Sequence, residues 1–168
     1  SSERIVALID ADAAGGPLLS VAYQRRHWAI YQVLRRELQS GRWGPIETVT
    51  FDMAERWQQT IGGTWRDDPL HNPGGFLGDA GSHKVDLLFY LTGLKPAQVY
   101  AVSRQHGSRV EIVTAIVGIL AGDVTLNMTF TGNAEHWHEE IHIYCRDADF
   151  IVRDSRLWRA EHNELTEI

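Results

Sequence analysis

The chain has 168 residues, 43% of them hydrophobic and 23% charged, with a net charge of −6. This is the profile of one folded domain in water and excludes a disordered tract. The acidic balance argues against nucleic acid, since the longest basic clusters are only Arg25-Arg26-His27 and Arg35-Arg36. No apolar run approaches the roughly 18 residues of a membrane span. One cysteine, Cys145, permits no internal disulfide, and a reducing, cytoplasmic setting is the reading adopted.

In chain order, residues 3–14 are alanine-rich and apolar at helical spacing, and Gly15-Gly16-Pro17 stops them. Residues 18–23 form a short apolar run that reads as a buried strand. Arg25 and Arg26 follow it and offer an anion contact or, the stronger reading, a surface ion pair. Trp28, Tyr31, Leu34 and Leu38 share one face of a second helix that Ser40-Gly41 closes. Gly44-Pro45 opens a strand from Ile46 to about Met53. Residues 54–75 show no sustained period and read as a long functional loop. Residues 79–91 are a strong helix ended by Thr92-Gly93.

The remainder alternates as strands do, at 98–104, 111–119, 124–131, 137–145, 150–153 and 157–160, with turn residues between them. Val124, Leu126, Met128 and Phe130 point one way, and Thr125, Asn127, Thr129 and Thr131 the other. At 136–145 Trp137, Ile141, Ile143 and Cys145 form the apolar face, and His136, His138, Glu140, His142 and Tyr144 the polar one. Helices and strands followed by a meander give an α+β fold, a predominantly antiparallel open sheet packed on one face by helices. Its free, semi-polar face is solvated or used for self-association. His-x-His with Glu140 has the residue types of a half metal site. A polar sheet face is the reading taken, and no metal site is assigned.

Chemistry concentrates at residues 72–88. On a helix Asp79, His83, Asp86 and Tyr90 form one stripe, so a carboxylate and an imidazole share its mouth. Glycines 74, 75, 78 and 81 clear bulk there. Such a pair suits removal of a hydroxyl proton, because an unperturbed imidazole titrates near pH 6.5 (about). The plainer reading, which spacing alone favours, is that Asp79 caps the helix and His83 is a core residue bonded to it. Trp65, Arg66, His71 and Asn72 precede this mouth and would suit a sugar through stacking and hydrogen bonds. A solvated loop would carry the same residues.

The string at 74–93, Gly-Gly-Phe-Leu-Gly-Asp-Ala-Gly-Ser-His-Lys-Val-Asp-Leu-Leu-Phe-Tyr-Leu-Thr-Gly, resembles the Gly-Gly-x-Leu-x-Asp-x-Gly-x-His-x-x-Asp-Leu segment of the Gfo/Idh/MocA oxidoreductases. Tyr23-Gln24-Arg25-Arg26, the Ser40-Gly41-Arg42-Trp43-Gly44-Pro45-Ile46 turn and Trp65-Arg66-Asp67-Asp68-Pro69 add to the likeness, which spans roughly residues 3–160.

The resemblance implies that Asp79 and His83 are the catalytic pair, the histidine in proton transfer and the aspartate on substrate. It implies NAD or NADP as cofactor, a sugar or polyol as substrate, and a homo-oligomer formed through the open sheet. The family's Glu-Lys-Pro segment is absent, as is a Gly-x-Gly-x-x-Gly nucleotide turn. Residues 1–23 are accordingly expected to be the end of a nucleotide-binding domain, and 24–168 the substrate-binding and oligomerisation domain, with cofactor-binding residues unassigned. On this reading the chain alone is inactive, and the dehydrogenase is a longer parent protein. A non-catalytic sugar-binding or dimerisation module of the same fold is the alternative.

Overall fold

The computed structural model describes residues 2–15 and 20–168. Eight strands make one open sheet in the order β2-β3-β4-β1-β5-β6-β7-β8. They are β1 (Ile46–Ala54), β2 (Pro96–Arg104), β3 (Val113–Leu120), β4 (Val124–Thr131), β5 (His138–Cys145), β6 (Asp149–Arg153), β7 (Arg156–Glu161) and β8 (Glu164–Glu167). The α+β class and the largely antiparallel sheet agree with expectation, but the meander is interrupted. β1 sits between β4 and β5, parallel to the former and antiparallel to the latter. As the central strand it alternates cleanly, with Val49, Phe51 and Met53 buried.

Helices α2 (Ala29–Gln39) and α4 (Ser82–Thr92) cover one face of the sheet. Tyr31 and Leu34 of α2, and Leu87, Leu88 and Leu91 of α4, pack against Val49, Leu126, Phe130, Ile141 and Ile143. Spacings of three and four residues put each set on a single helical face. Gly93, at φ 68°, ends α4 in the left-handed conformation. Outward-facing positions of β4 are polar, as alternation requires.

Four expectations are corrected. The strand at 18–23 does not form where it can be seen: Leu18 and Leu19 lie outside the described residues, while Ser20–Tyr23 is irregular and Val21 is 69% exposed. Residues 54–75 are not structureless. Trp57 and Ile61, both buried, anchor α3 (Trp57–Ile61), and the Thr64 hydroxyl accepts from the Arg66 amide to start a 3-10 turn at Trp65–Asp67. Trp137 is 41% exposed and precedes β5, so the inward position falls to Glu139. β8, exposed throughout, was not foreseen; it pairs with β7 through a tight turn in which His162 and Asn163 take positive φ.

The glycines near the α4 mouth serve packing more than ligand approach. A Cβ on Gly75, where φ is 53°, would stand 2.1 Å from the Glu111 carbonyl oxygen, and one on Gly81 would meet Phe130 at 3.0 Å. Helix α1 (Ser2–Ala13) forms at the predicted place, but Ile5, Val6, Leu8 and Ile9 are all more than half exposed. No helix among the described residues is long and apolar enough to cross a membrane. Cys145 is buried and free, and burial pushes its thiol up to about 11.

Candidate active site

A cleft of about 410 Å³ opens where the end of β1, helix α3, the mouth of α4 and the residues before α2 converge. Asp79 and His83 both line it. The helix they share begins with a π-helical turn, Leu77–Gly81, and becomes α-helical at Ser82. Such turns interrupt the regular ladder and recur at functional sites. The wider turn re-aims Asp79, which neither caps α4 nor bonds His83 among the described residues.

Asp79 is instead clamped from the 54–75 segment. Its Oδ2 accepts from Arg66 Nε at 2.7 Å and from the indole Nε1 of Trp57 at 3.1 Å. Oδ1 accepts no protein hydrogen bond among the described residues. Trp57 is 4% exposed and packs against Phe76 at 5.3 Å between ring centroids, so the donor is rigid. Arg66 also lies over the ring of Trp65, 4.5 Å from its centroid.

His83 Nδ1 is enclosed and meets no hydrogen-bond partner among the described residues. The ring of Tyr23 stands edge-on to the imidazole at 5.4 Å. Along the same helix Asp86 pairs with Arg26, and Tyr90 carries Arg35 over its ring at 4.3 Å. The predicted stripe is therefore divided: Asp79 and His83 face the cleft, while Asp86 and Tyr90 hold arginines.

The other sequence-predicted residues separate by position. Arg66 lines the cleft. Asn72, 6% exposed, donates to the Arg66 carbonyl oxygen at 2.9 Å and so supports Arg66 from behind. Trp65 is 52% exposed and does not line the cleft, and His71 turns outward to Asp68 at 2.7 Å.

Four cleft residues escaped sequence reading: Glu55, Trp57, Lys84 and, behind them, Glu139. Glu139 sits at an inward position of β5 and receives Lys84 Nζ, Arg25 Nη1 at 2.7 Å and the Tyr31 hydroxyl at 2.8 Å. Lys84 is 1% exposed; burial pulls its ammonium down to about 8, against the opposing pull of Glu139. Burial works to raise the Glu139 carboxyl, but Lys84 and Arg25 prevail and hold it below the usual carboxylate range. Glu55 rises above that range through burial, at a place where Lys84 and Asp79 also act on it. A signal for the pair did exist. Glu139 keeps the parity of Ile141 and Ile143, and Lys84 precedes Leu87, Leu88 and Leu91 at apolar spacing. Arg25 thus makes an ion pair far more enclosed than the surface pair expected.

The outer sheet face carries a second hollow, about 360 Å³, with His138, Glu140, His142 and Tyr144 along β5. Arg153 and His142 hold Glu140 down to about 2. No three His, Cys, Asp or Glu side chains among the described residues converge as a metal would need.

The model of the GFO/IDH/MocA C-terminal domain matches residues 31–151. No curated protein matches. An inositol dehydrogenase homolog from Azotobacter vinelandii, complexed with NAD+, superposes with a TM-score of 0.88 at 18% identity over 99% of this chain and 47% of its own. Aldose-aldose oxidoreductase from Caulobacter crescentus, complexed with glycerol, gives 0.81 at 20% over 96% and 50%. Levoglucosan dehydrogenase, in complex with NADH and levoglucosan, gives 0.77 at 18% over 88% and 45%. The chain spans about half the length of each, and at these identities the likeness is one of fold.

Proposed function

Because the chain belongs to the GFO/IDH/MocA family, whose C-terminal domain it carries, we propose that it is the substrate-facing part of an NAD(P)-dependent oxidoreductase acting on a secondary alcohol of a sugar or polyol. The observation that carries this reading is the placement of Asp79 and His83 in one cleft, the carboxylate clamped by Arg66 and Trp57 with one oxygen to spare. The bound ligands of the neighbours, glycerol and levoglucosan, support the substrate class.

Oxidising a secondary alcohol removes a hydride from carbon and a proton from the hydroxyl. His83 takes the proton as general base and returns it in the reverse direction. Asp79 Oδ1 accepts a substrate hydroxyl and fixes the carbinol carbon relative to the imidazole. Arg66 balances the charge of Asp79, and Asn72 holds the Arg66 backbone. A nicotinamide, where bound, would supply the hydride acceptor. The described residues do not fit the dinucleotide itself: β1 leads into α3 through Glu55-Arg56, with no glycine-rich turn to seat a pyrophosphate. We assign that task to a separate nucleotide-binding domain of a longer parent protein, with residues 1–23 as its final segment, acting in the cytoplasm. The semi-polar outer face of the sheet is the surface we assign to self-association; sedimentation of the chain as a monomer at all concentrations would refute that assignment.

The test of function follows nicotinamide reduction by the parent protein over a panel of sugars and polyols, wild type beside His83→Ala. Turnover with at least one polyol that falls by about 10²-fold or more in the variant supports the assignment. Cofactor binding without turnover on any substrate supports instead a non-catalytic sugar-binding module. Turnover unchanged by His83→Ala removes the histidine from the chemistry.

A further inference from the structure

The tetrad Tyr23-Gln24-Arg25-Arg26 has no part in the chemistry above, yet it holds the catalytic end of α4 at two places and β5 at a third. Tyr23 stands edge-on to His83, with ring centroids 5.4 Å apart and planes at 90°. Arg26 makes a two-pronged pair with Asp86, three residues further along, Nε to Oδ2 at 2.7 Å. Arg25 reaches Glu139, which also holds Lys84, the residue after His83. Arg26 in addition lies near the faces of Tyr23 at 5.9 Å and Tyr90 at 5.5 Å, so the ring that touches His83 is itself held.

A histidine used in proton transfer usually has its tautomer and aim set by a hydrogen bond on the nitrogen away from the substrate. His83 Nδ1 is enclosed and has no such partner among the described residues. The contact the imidazole does make is with the ring of Tyr23, set perpendicular to it. The Tyr23 hydroxyl makes no hydrogen bond among the described residues, which leaves the ring as the part that acts.

We propose that Tyr23 is the positioning residue of His83: its ring fixes the imidazole by edge-to-face packing, and Arg25 and Arg26 clamp the tetrad to β5 and α4 so that the ring cannot withdraw. The proposal rests on the reading of His83 as the proton-transfer group. It accounts for two adjacent arginines spent on two different carboxylates beside one histidine. Ring pairs of this geometry bias a conformational equilibrium by about threefold to tenfold. Misplacement of a catalytic group by about 1 Å can cost a further 10²-fold in rate.

The test uses the chain labelled with ¹⁵N-histidine, with His83 assigned by comparison with His83→Ala, and reads its ring nitrogen shifts and linewidths. Wild type and Tyr23→Phe are expected to give the same single set of His83 signals. Tyr23→Leu, which keeps apolar bulk but has no ring, is expected to shift or broaden them, and Arg26→Ala to do so partly, while the amide signals of the last turn of α4 stay in place. In the parent enzyme Tyr23→Leu lowers kcat about tenfold or more with KM unchanged, and Tyr23→Phe restores it. His83 signals in Tyr23→Leu indistinguishable from wild type overturn the proposal, and so does an unchanged kcat. If His83→Ala retains full turnover while the His83 ring signals of the chain respond to Tyr23→Leu as expected, the proton-transfer role falls and the packing relation stands.

Discussion

Replacing Glu139 by alanine removes the one carboxylate on which a lysine, an arginine and a tyrosine converge. Tyr31 and Lys84 are each 1% exposed, so neither can turn to water instead. The Tyr31 hydroxyl left without its acceptor costs about 1–3 kcal/mol. Lys84 escapes by shedding its proton; because burial has already brought it to about 8, the escape near pH 7 adds only about 1.4 kcal/mol per unit of pH. Arg25 loses its carboxylate partner and must swing outward, giving up its bond. With the lost Arg25 bond added to these, the total approaches the roughly 3–5 kcal/mol known for breaking a buried pair on one side. For a domain of this size that lowers Tm by about 6–20 °C. Thermal unfolding followed by tryptophan fluorescence measures it, since Trp57 and Trp43 are both buried. Glu139→Gln, which keeps an acceptor, should lose less. A Glu139→Ala protein that melts within about 2 °C of wild type would refute the account of the cluster.

Removing the other end of the pair behaves differently: Lys84→Met leaves Glu139 bonded to Arg25 and Tyr31, so it should be neutral or stabilising, checked in the same melt. The lowered folded value of Lys84 means that the unfolded chain binds more protons between about pH 8 and its usual 10.5. The Lys84 contribution to stability therefore rises with pH across that window, by up to about 3 kcal/mol, opposed above about pH 9 by the raised Cys145 thiol, and urea titrations should show the rise in wild type relative to Lys84→Met. Gly75→Ala forces a Cβ into the Glu111 backbone at a positive φ, and we expect loss of soluble folded protein or a Tm drop beyond about 10 °C by circular dichroism. Cys145, buried with its thiol pushed up to about 11, should react with a thiol reagent at pH 8 only after denaturant is added.

Local pattern was enough for much of this molecule. Alternation placed β4 on its observed residues, and the three-and-four spacing placed α2 and α4, because each regular element must show one apolar face to a single core. The run from Gly74 to Gly93 carried Asp79 and His83 to the mouth of a helix, since neighbours four apart share a face whatever surrounds them. What these side chains bond to was decided only in three dimensions. Asp79 meets Arg66 and Trp57 from a segment that lacks periodicity, and its aim depends on a π turn that a regular helical count cannot contain. Glu139 and Lys84 lie 55 positions apart, and each breaks the apolar rule of its own element. Their burial makes sense only once β1 has entered between β4 and β5 and the α4 face has closed over the resulting sheet. Sequence alone determined which faces turn inward; the tertiary structure decided which buried charge meets which, because that pairing depends on contacts between elements and not on the period of any one of them.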